Sequence, residues 1–260
     1  MKLLVVADIH YSLKQFDWLL SVGPDFDAVV LAGDLLELSS SVPRSAQTVV
    51  VRTYLEQIAE VTRVIVCSGN HDLDATHASG ELTADWMQDL DLLDVVAGGH
   101  STRIGQTLIT ACPWWDGPET QAAIARQLAS AALEPHERWI WVYHAPPIDS
   151  PVSWGGKRSF GDECLVGWIA EFSPDLVVSG HVHNSPFIGG GSWADRIGSS
   201  WVFNTGQQIG PVPAHIIFDL EEQRAYWFSI YGNETLSLAD PLSRPFAPLT
   251  TLPDWLRRSA

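Results

Sequence analysis

Five short clusters of acid, amide and imidazole side chains punctuate the chain: Asp8-Ile9-His10, Gly33-Asp34-Leu35-Leu36-Glu37, Gly69-Asn70-His71-Asp72, His144 and Gly180-His181-Val182-His183. Together they offer carboxylate, amide-oxygen and imidazole donors and no thiolate. Such a mixture suits Mn²⁺, Fe or Zn²⁺ better than Ca²⁺ or a thiolate zinc site. Singly each cluster is weak. Asp-x-His is common on surfaces, Gly-Asp is usually a turn, and a lone histidine is more often packed or exposed than a ligand. Asn70 contributes a neutral oxygen, while His71 beside it is free to face elsewhere. Asp72, one residue further on, is placed to hold the tautomer of that imidazole. Two histidines one residue apart, as in His181 and His183, can serve two adjacent ions. The ordered recurrence of all five clusters carries the weight that none has alone.

The elements before each cluster are apolar runs of strand length. Lys2–Ala7 reads as a strand buried on both faces, and Asp27–Ala32, Arg63–Ser68, Thr107–Cys112, Trp139–Tyr143 and Asp175–Ser179 read as further strands. Helices are expected over Lys14–Val22, Pro43–Glu60, Glu81–Leu90, Glu119–Leu133 and Glu163–Phe172, with Gly23-Pro24 ending the first. Two short β segments bracket Gly98-Gly99 and Ile104-Gly105. From Ser200 the pattern changes to β segments at Trp201–Asn204, His215–Leu220 and Arg224–Ile230. The tail from Leu238 carries Pro241, Pro245, Pro248 and Pro253 and is expected to be irregular, packed or frayed. No repeat or linker divides the chain, so one domain over residues 1–260 is expected. βα units followed by a run of antiparallel strands suggest an α/β protein with two packed sheets. Polar clusters at strand ends are where open α/β sheets build their sites.

In combination, D-x-H, GD-x-x-E, GNHD, a lone histidine and GH-x-H resemble the signature of the calcineurin-like metallophosphoesterase superfamily, across Asp8 to His183. The resemblance implies a four-layer α/β/β/α sandwich of two mixed sheets. It implies two metal ions, the first held by Asp8, His10, Asp34 and His183. Asp34 would bridge to the second, held also by Asn70, His144 and His181. His71 is similar to the family's non-ligand histidine, which acts on the leaving oxygen, and Asp72 would orient it. The reaction implied is hydrolysis of a phosphate ester by a metal-activated water. Gly33-Asp34 lacks the adjacent arginine of the protein Ser/Thr phosphatases, and Asp72 stands where they carry glutamate. GNHD with His144-Ala145-Pro146-Pro147 looks more like the bacterial cyclic-nucleotide phosphodiesterases, although Tyr143 stands where that branch often doubles the histidine. A small nucleotide-like monoester or diester is therefore the expected substrate.

Composition narrows the partners. With 260 residues, 46% hydrophobic and 18% charged, the chain can bury a sizeable core. No apolar run approaches the ~20 residues that span a bilayer. The net charge of −16 disfavours a long polyanion, and the adjacent basic pairs are only Lys157-Arg158 and Arg257-Arg258. Cys67, Cys112 and Cys164 are odd in number and lack metal-knuckle spacing, which suits a reduced, cytoplasmic protein. Substrate contacts are expected from loops between the clusters. Trp114 could wall the site, and Trp154 with Lys157 and Arg158 could stack on a base and meet a phosphate. His77, His100, His136 and His215 match no motif and are expected to be structural or exposed. Two rivals remain: a nuclease of the same fold, and a non-catalytic metal-binding scaffold, which would tend to have lost ligands.

Overall fold

The computed structural model describes residues 1–93 and 95–256; Arg257-Arg258 and the end of the tail lie outside the described residues. Its first half runs β1 (Lys2–Val6), α1 (Leu13–Val22), β2 (Ala28–Ala32), α2 (Arg44–Ala59), β3 (Arg63–Cys67), a small hairpin of β4 (Ala75–Thr76) and β5 (Leu82–Thr83), then β6 (Val95–Val96). There follow β7 (Ser101–Ile104), β8 (Thr107–Ala111), α3 (Pro118–Ala131), β9 (Arg138–Val142), α4 (Glu163–Phe172) and β10 (Leu176–Ser179). The chain continues through β11 (Ala194–Ile197), β12 (Ser200–Asn204), β13 (His215–Asp219), β14 (Arg224–Ser229), β15 (Gly232–Ser237) and β16 (Ala247–Pro248).

These strands form two large mixed sheets, one in the order β16-β15-β14-β13-β1-β2-β3-β6 and the other β11-β12-β10-β9-β8-β7. The strands that precede the chemical clusters are parallel within their sheets: β1 with β2, β2 with β3, and β9 with β10. Strand periodicity sorts their side chains into layers. Leu3, Val5, Val30, Ile65 and Phe218 of the first sheet meet Ile109, Ile140, Val178 and Phe203 of the second in one shared core. Leu4, Val6, Leu31 and Val66 point the other way, onto Phe16 and Leu19 of α1 and Leu55 and Ile58 of α2. Trp141, Val177 and Val202 likewise turn outward onto Ile124 and Leu128 of α3 and Leu165 of α4. Hence the layers run α/β/β/α, as the resemblance implied.

Three segments differ from the sequence reading. Glu81–Leu90 is not a helix but β5 and two 3₁₀ turns, Asp85–Met87 and Leu90–Leu93. Tertiary hydrogen bonds override its helical propensity. The Glu81 carboxylate accepts the N–H groups of Glu119 and Thr120 at 2.8 Å each, capping α3, and Asp116 Oδ2 accepts the N–H of Leu82. Strands β11 and β15 escape the pattern, because Ala-Asp-Arg-Ile and Gly-Asn-Glu-Thr-Leu-Ser carry the polar residues typical of sheet margins. The tail, by contrast, takes the packed alternative of the sequence reading: Ala247–Pro248 pairs with β15, and Leu256 is 5% exposed.

Candidate metal centre

Five strands deliver their carboxyl ends to one rim, where the chain turns sharply. Asp8, His10, Asp34 and His181 have φ of 56°, 46°, 55° and 65°, left-handed conformations that L residues adopt at a cost. Surrounding hydrogen bonds hold them there. Asp8 N–H donates to Gly33 O and His10 N–H to Asp34 O, both at 3.0 Å, which ties the exit of β1 to that of β2. The buried Asp72 carboxylate then accepts four backbone N–H groups: Asp34 at 2.9 Å, Leu35 at 2.9 Å, Leu36 at 3.0 Å and Gly69 at 2.8 Å. Gly33, at φ +90°, has no alternative residue, since a Cβ would lie 2.4 Å from His144 Nδ1.

Three donor groups result, each with its ligand atoms within 4.8 Å of one another: Asp8, His10, Asp34 and His183; Asp34, His144 and His181; and His10, Glu37 and His71. Asp34 belongs to the first two, and His10 joins the first to the third. In the first group, His10 Nε2 lies 3.1 Å from His183 Nε2 and 3.7 Å from Asp34 Oδ2, and His183 Nε2 lies 3.2 Å from Asp8 Oδ1. In the second, His144 Nε2 is 3.3 Å from Asp34 Oδ2. Donors each about 2.1 Å from one ion would sit roughly 3.0–3.4 Å apart; three of these four separations fall there, and His10–Asp34 at 3.7 Å lies a little beyond.

Unsatisfied atoms make the same point. Asn70 Oδ1 and His144 Nε2 are buried with no hydrogen-bond partner. A buried polar atom left unmatched is costly, so such atoms call for a ligand. His144 Nδ1 sits 2.7 Å from the Ala32 carbonyl, an arrangement that places the proton on Nδ1 and directs the Nε2 lone pair at Asp34 and Asp8. A lone pair facing two carboxylates is repelled unless positive charge lies between them. The electrostatic balance at these groups makes the same demand. Burial works to lower the pKa of His144, yet the Asp34 carboxylate overrides it and lifts the imidazole to about 9. Burial works to raise Asp34, but His144 holds it well below the usual carboxylate range. His181 is lowered to about 4, first by burial and then by His144, so it stays a neutral donor at pH 7. Donor types, spacing and orphaned atoms all fit two cations sharing Asp34.

The catalytic pair expected from the sequence is not a pair. Asp72 is fully buried and bonded to the backbone of 34–36 and 69, so it braces the turn that aims Asp34 and does not orient His71. Burial, then the neighbouring Asp34 charge, push it up to about 7 against the N–H groups of Gly69 and Leu36. Glu37 faces His71 instead: its Oε1 lies 3.8 Å from His71 Nδ1, and its Oε2 lies 3.3 Å from His10 Nδ1. The GD-x-x-E spacing was visible, but only the fold reveals which imidazoles the glutamate meets. The His71 ring packs edge-on to His10 at 4.5 Å, and its backbone N–H donates to Asp34 Oδ1 at 2.8 Å.

Of the four loop candidates, Trp114 alone reaches the metal centre, its ring 5.3 Å from that of His181 and 5.7 Å from that of His144. It lines a cleft of about 490 Å³ together with Trp115, Asp116, Ala145, Ile148, Phe160, Asp162, Glu163 and His181. Trp154, Lys157 and Arg158 do not line it. The Trp154 indole donates to Gly189 O at 3.1 Å, and the Arg158 guanidinium lies over the Phe160 ring at 4.6 Å. Loop packing and a cation–π contact therefore replace the base stacking and phosphate contact expected of them. Phe160, which no motif marked, supplies a wall instead.

Known proteins place this architecture. No protein of curated function matches the sequence. Among solved structures, TT1561 of Thermus thermophilus superposes with a TM-score of 0.58 at 17% identity, covering 91% of this chain and 98% of that one. The purple acid phosphatase PPD1 from yellow lupin (Lupinus luteus) seeds gives 0.57 at 16% identity, over 95% of this chain and 53% of that one. At these identities the likeness speaks for the fold. The sequence model of calcineurin-like phosphoesterases matches residues 1–185, a stretch holding every donor described above, and the chain belongs to that family.

Proposed function

We propose that this phosphoesterase hydrolyses a small phosphate ester, a monoester or a diester, with two cations of the Mn, Fe or Zn class bound at Asp34. The observation that carries the reading is the membership of Asp34 in two of the donor groups. A cation pair held there would supply Lewis acidity, activating water and offsetting the charge of the phosphoryl oxygens. This chain's residues do the rest. Asp8, His10 and His183 hold one side of Asp34, while Asn70, His144 and His181 hold the other. With Nδ1 turned toward Glu37, His71 is left with Nε2 to protonate the leaving oxygen. Asp72 keeps the 34–36 turn fixed under Asp34. Trp114 shields the His144 and His181 side.

The net charge of −16 argues against a nuclease acting on long chains, because the phosphates would find few basic contacts. A full donor set argues against a scaffold that has lost its ions. No helix among the described residues is long and apolar enough to cross a membrane. The free thiols Cys67, Cys112 and Cys164 support a reducing, cytoplasmic setting. A panel of a monoester, a diester and cyclic nucleotides, assayed with Mn²⁺ alongside metal analysis, tests the proposal. Two ions per chain and chelator-sensitive hydrolysis of at least one ester are expected. Hydrolysis that survives complete removal of metal would overturn it.

A further inference from the structure

Beyond His181 and Trp114, the cleft is built unlike a phosphate pocket. Three rings wall it: Trp114, Trp115 and Phe160. Its charged lining residues are Asp116, Asp162 and Glu163, and among the described residues neither lysine nor arginine lines it. The three acids are not equivalent. Asp162 is fully engaged. Its Oδ1 caps α4 through the N–H groups of Cys164 and Leu165, and its Oδ2 accepts the Tyr143 hydroxyl and the Trp115 indole N–H. That network fixes the Trp115 wall, because the same indole also donates to the Tyr143 oxygen at 2.8 Å. Asp116 spends one oxygen on the Leu82 N–H and keeps the other open, and Glu163 is exposed at the first turn of α4. The Phe160 ring already carries a cation, the Arg158 guanidinium at 4.6 Å.

Aromatic faces and open carboxylates attract organic cations and repel anions. We infer that the ester arm extending from the phosphoryl group into this cleft is an alcohol carrying a positively charged nitrogen, an aminoalcohol or a quaternary-ammonium alcohol. The inference rests on the phosphoesterase reading and names the substrate class for that site. Space is sufficient, since a pocket of this size accepts far more than a trimethylammonium group. The cleft equally disfavours an arm with a second phosphate or a carboxylate, which would meet Asp116 and Glu163 with no basic residue on the described lining. Arg158 acts in the opposite sense from an anion contact here: it competes with the substrate cation for the Phe160 face.

A pair of isosteric substrates isolates the charge. Choline phosphate and 3,3-dimethylbutyl phosphate differ only in replacing the quaternary nitrogen by carbon, and p-nitrophenyl phosphate and a nucleoside monophosphate complete the set. With the Mn²⁺-loaded enzyme, kcat/KM is expected to be about tenfold higher for the choline ester than for its neutral isostere. Glu163→Gln and Asp116→Asn should each lower that ratio several-fold, with metal content and melting temperature as controls on folding. Arg158→Ala should hold the ratio or raise it. Equal rates for the two isosteres, or a nucleoside monophosphate preferred to both, would overturn the cation assignment. So would hydrolysis of p-nitrophenyl phosphate with neither alkyl ester cleaved. Loss of metal-dependent hydrolysis of every ester would instead overturn the phosphoesterase reading on which it rests.

Discussion

Replacing Asp72 by asparagine tests the corrected role of this residue most directly. Its two oxygens accept four N–H groups, from Asp34 and Gly69 on one and from Leu35 and Leu36 on the other. Asparagine keeps only one acceptor oxygen, so two of those buried donors would face an NH₂ group. Each orphaned donor costs about 1–3 kcal/mol, and relief of the buried charge offsets part of the sum. A net destabilisation of about 2–4 kcal/mol is expected in the metal-free protein, read from urea midpoints at an unchanged slope. Because the lost bonds support the Asp34 backbone, metal affinity should fall as well, on both sides of the shared carboxylate. Activity should drop in step with bound metal and recover in part at high Mn²⁺. A variant with metal-free stability within about 1 kcal/mol of wild type, two ions bound and only kcat reduced would refute the bracing role. That pattern would return Asp72 to the orientation of His71.

Other substitutions separate the remaining roles. Asp34→Asn should release most of both ions and nearly all activity, whereas His181→Ala and His183→Ala should each deplete a different one; metal analysis of the purified variants decides. His71→Asn should retain both ions while kcat falls roughly 10²–10⁴-fold, with a smaller loss for p-nitrophenolate than for an alkoxide leaving group. Equal losses for the two leaving groups would remove the proton-donor assignment. Glu37→Gln should lower metal affinity or turnover by about 10–100-fold through His10 and His71, a combined effect that a purely exposed carboxylate would not produce. Away from the centre, burial lowers His215 to about 4, against the hydrogen bond to Pro213 O that favours its charged form. Its pKa in the unfolded chain is near 6.5, so the unfolded state binds more protons between these values. Stability present above pH 6.5 should therefore decline toward pH 4, by about 3 kcal/mol from this residue. His215→Phe should flatten that slope in denaturation curves taken across the range.

The residues that the fold gathers into candidate donor groups were legible without coordinates, because chemistry needs particular side chains at strand ends. Apolar runs such as Lys2–Ala7 and Asp175–Ser179 announce their strands by composition, and the polar clusters follow at once. The βα order implied packed sheets, and the combined motifs implied both the layering and the split of donors around Asp34. Contacts between residues distant in sequence were not legible. Asp72 is adjacent to His71 along the chain, yet the 3₁₀ turn at Asn70–Asp72 carries its carboxylate down to the backbone of 34–36. Glu37 lies 34 positions before His71, and the imidazole meets it only because β2 and β3 end side by side. Arg158 read as an anion contact because a basic pair in a glycine loop suggests one; the fold instead lays it on Phe160. Glu81–Leu90 had helical composition but lost it to hydrogen bonds with α3 and the 116 loop. Local composition thus determined which atoms were available and roughly where the strands ended. Which of those atoms face one another depended on sheet order and turn geometry, and both are set by long-range packing that no short window of sequence contains.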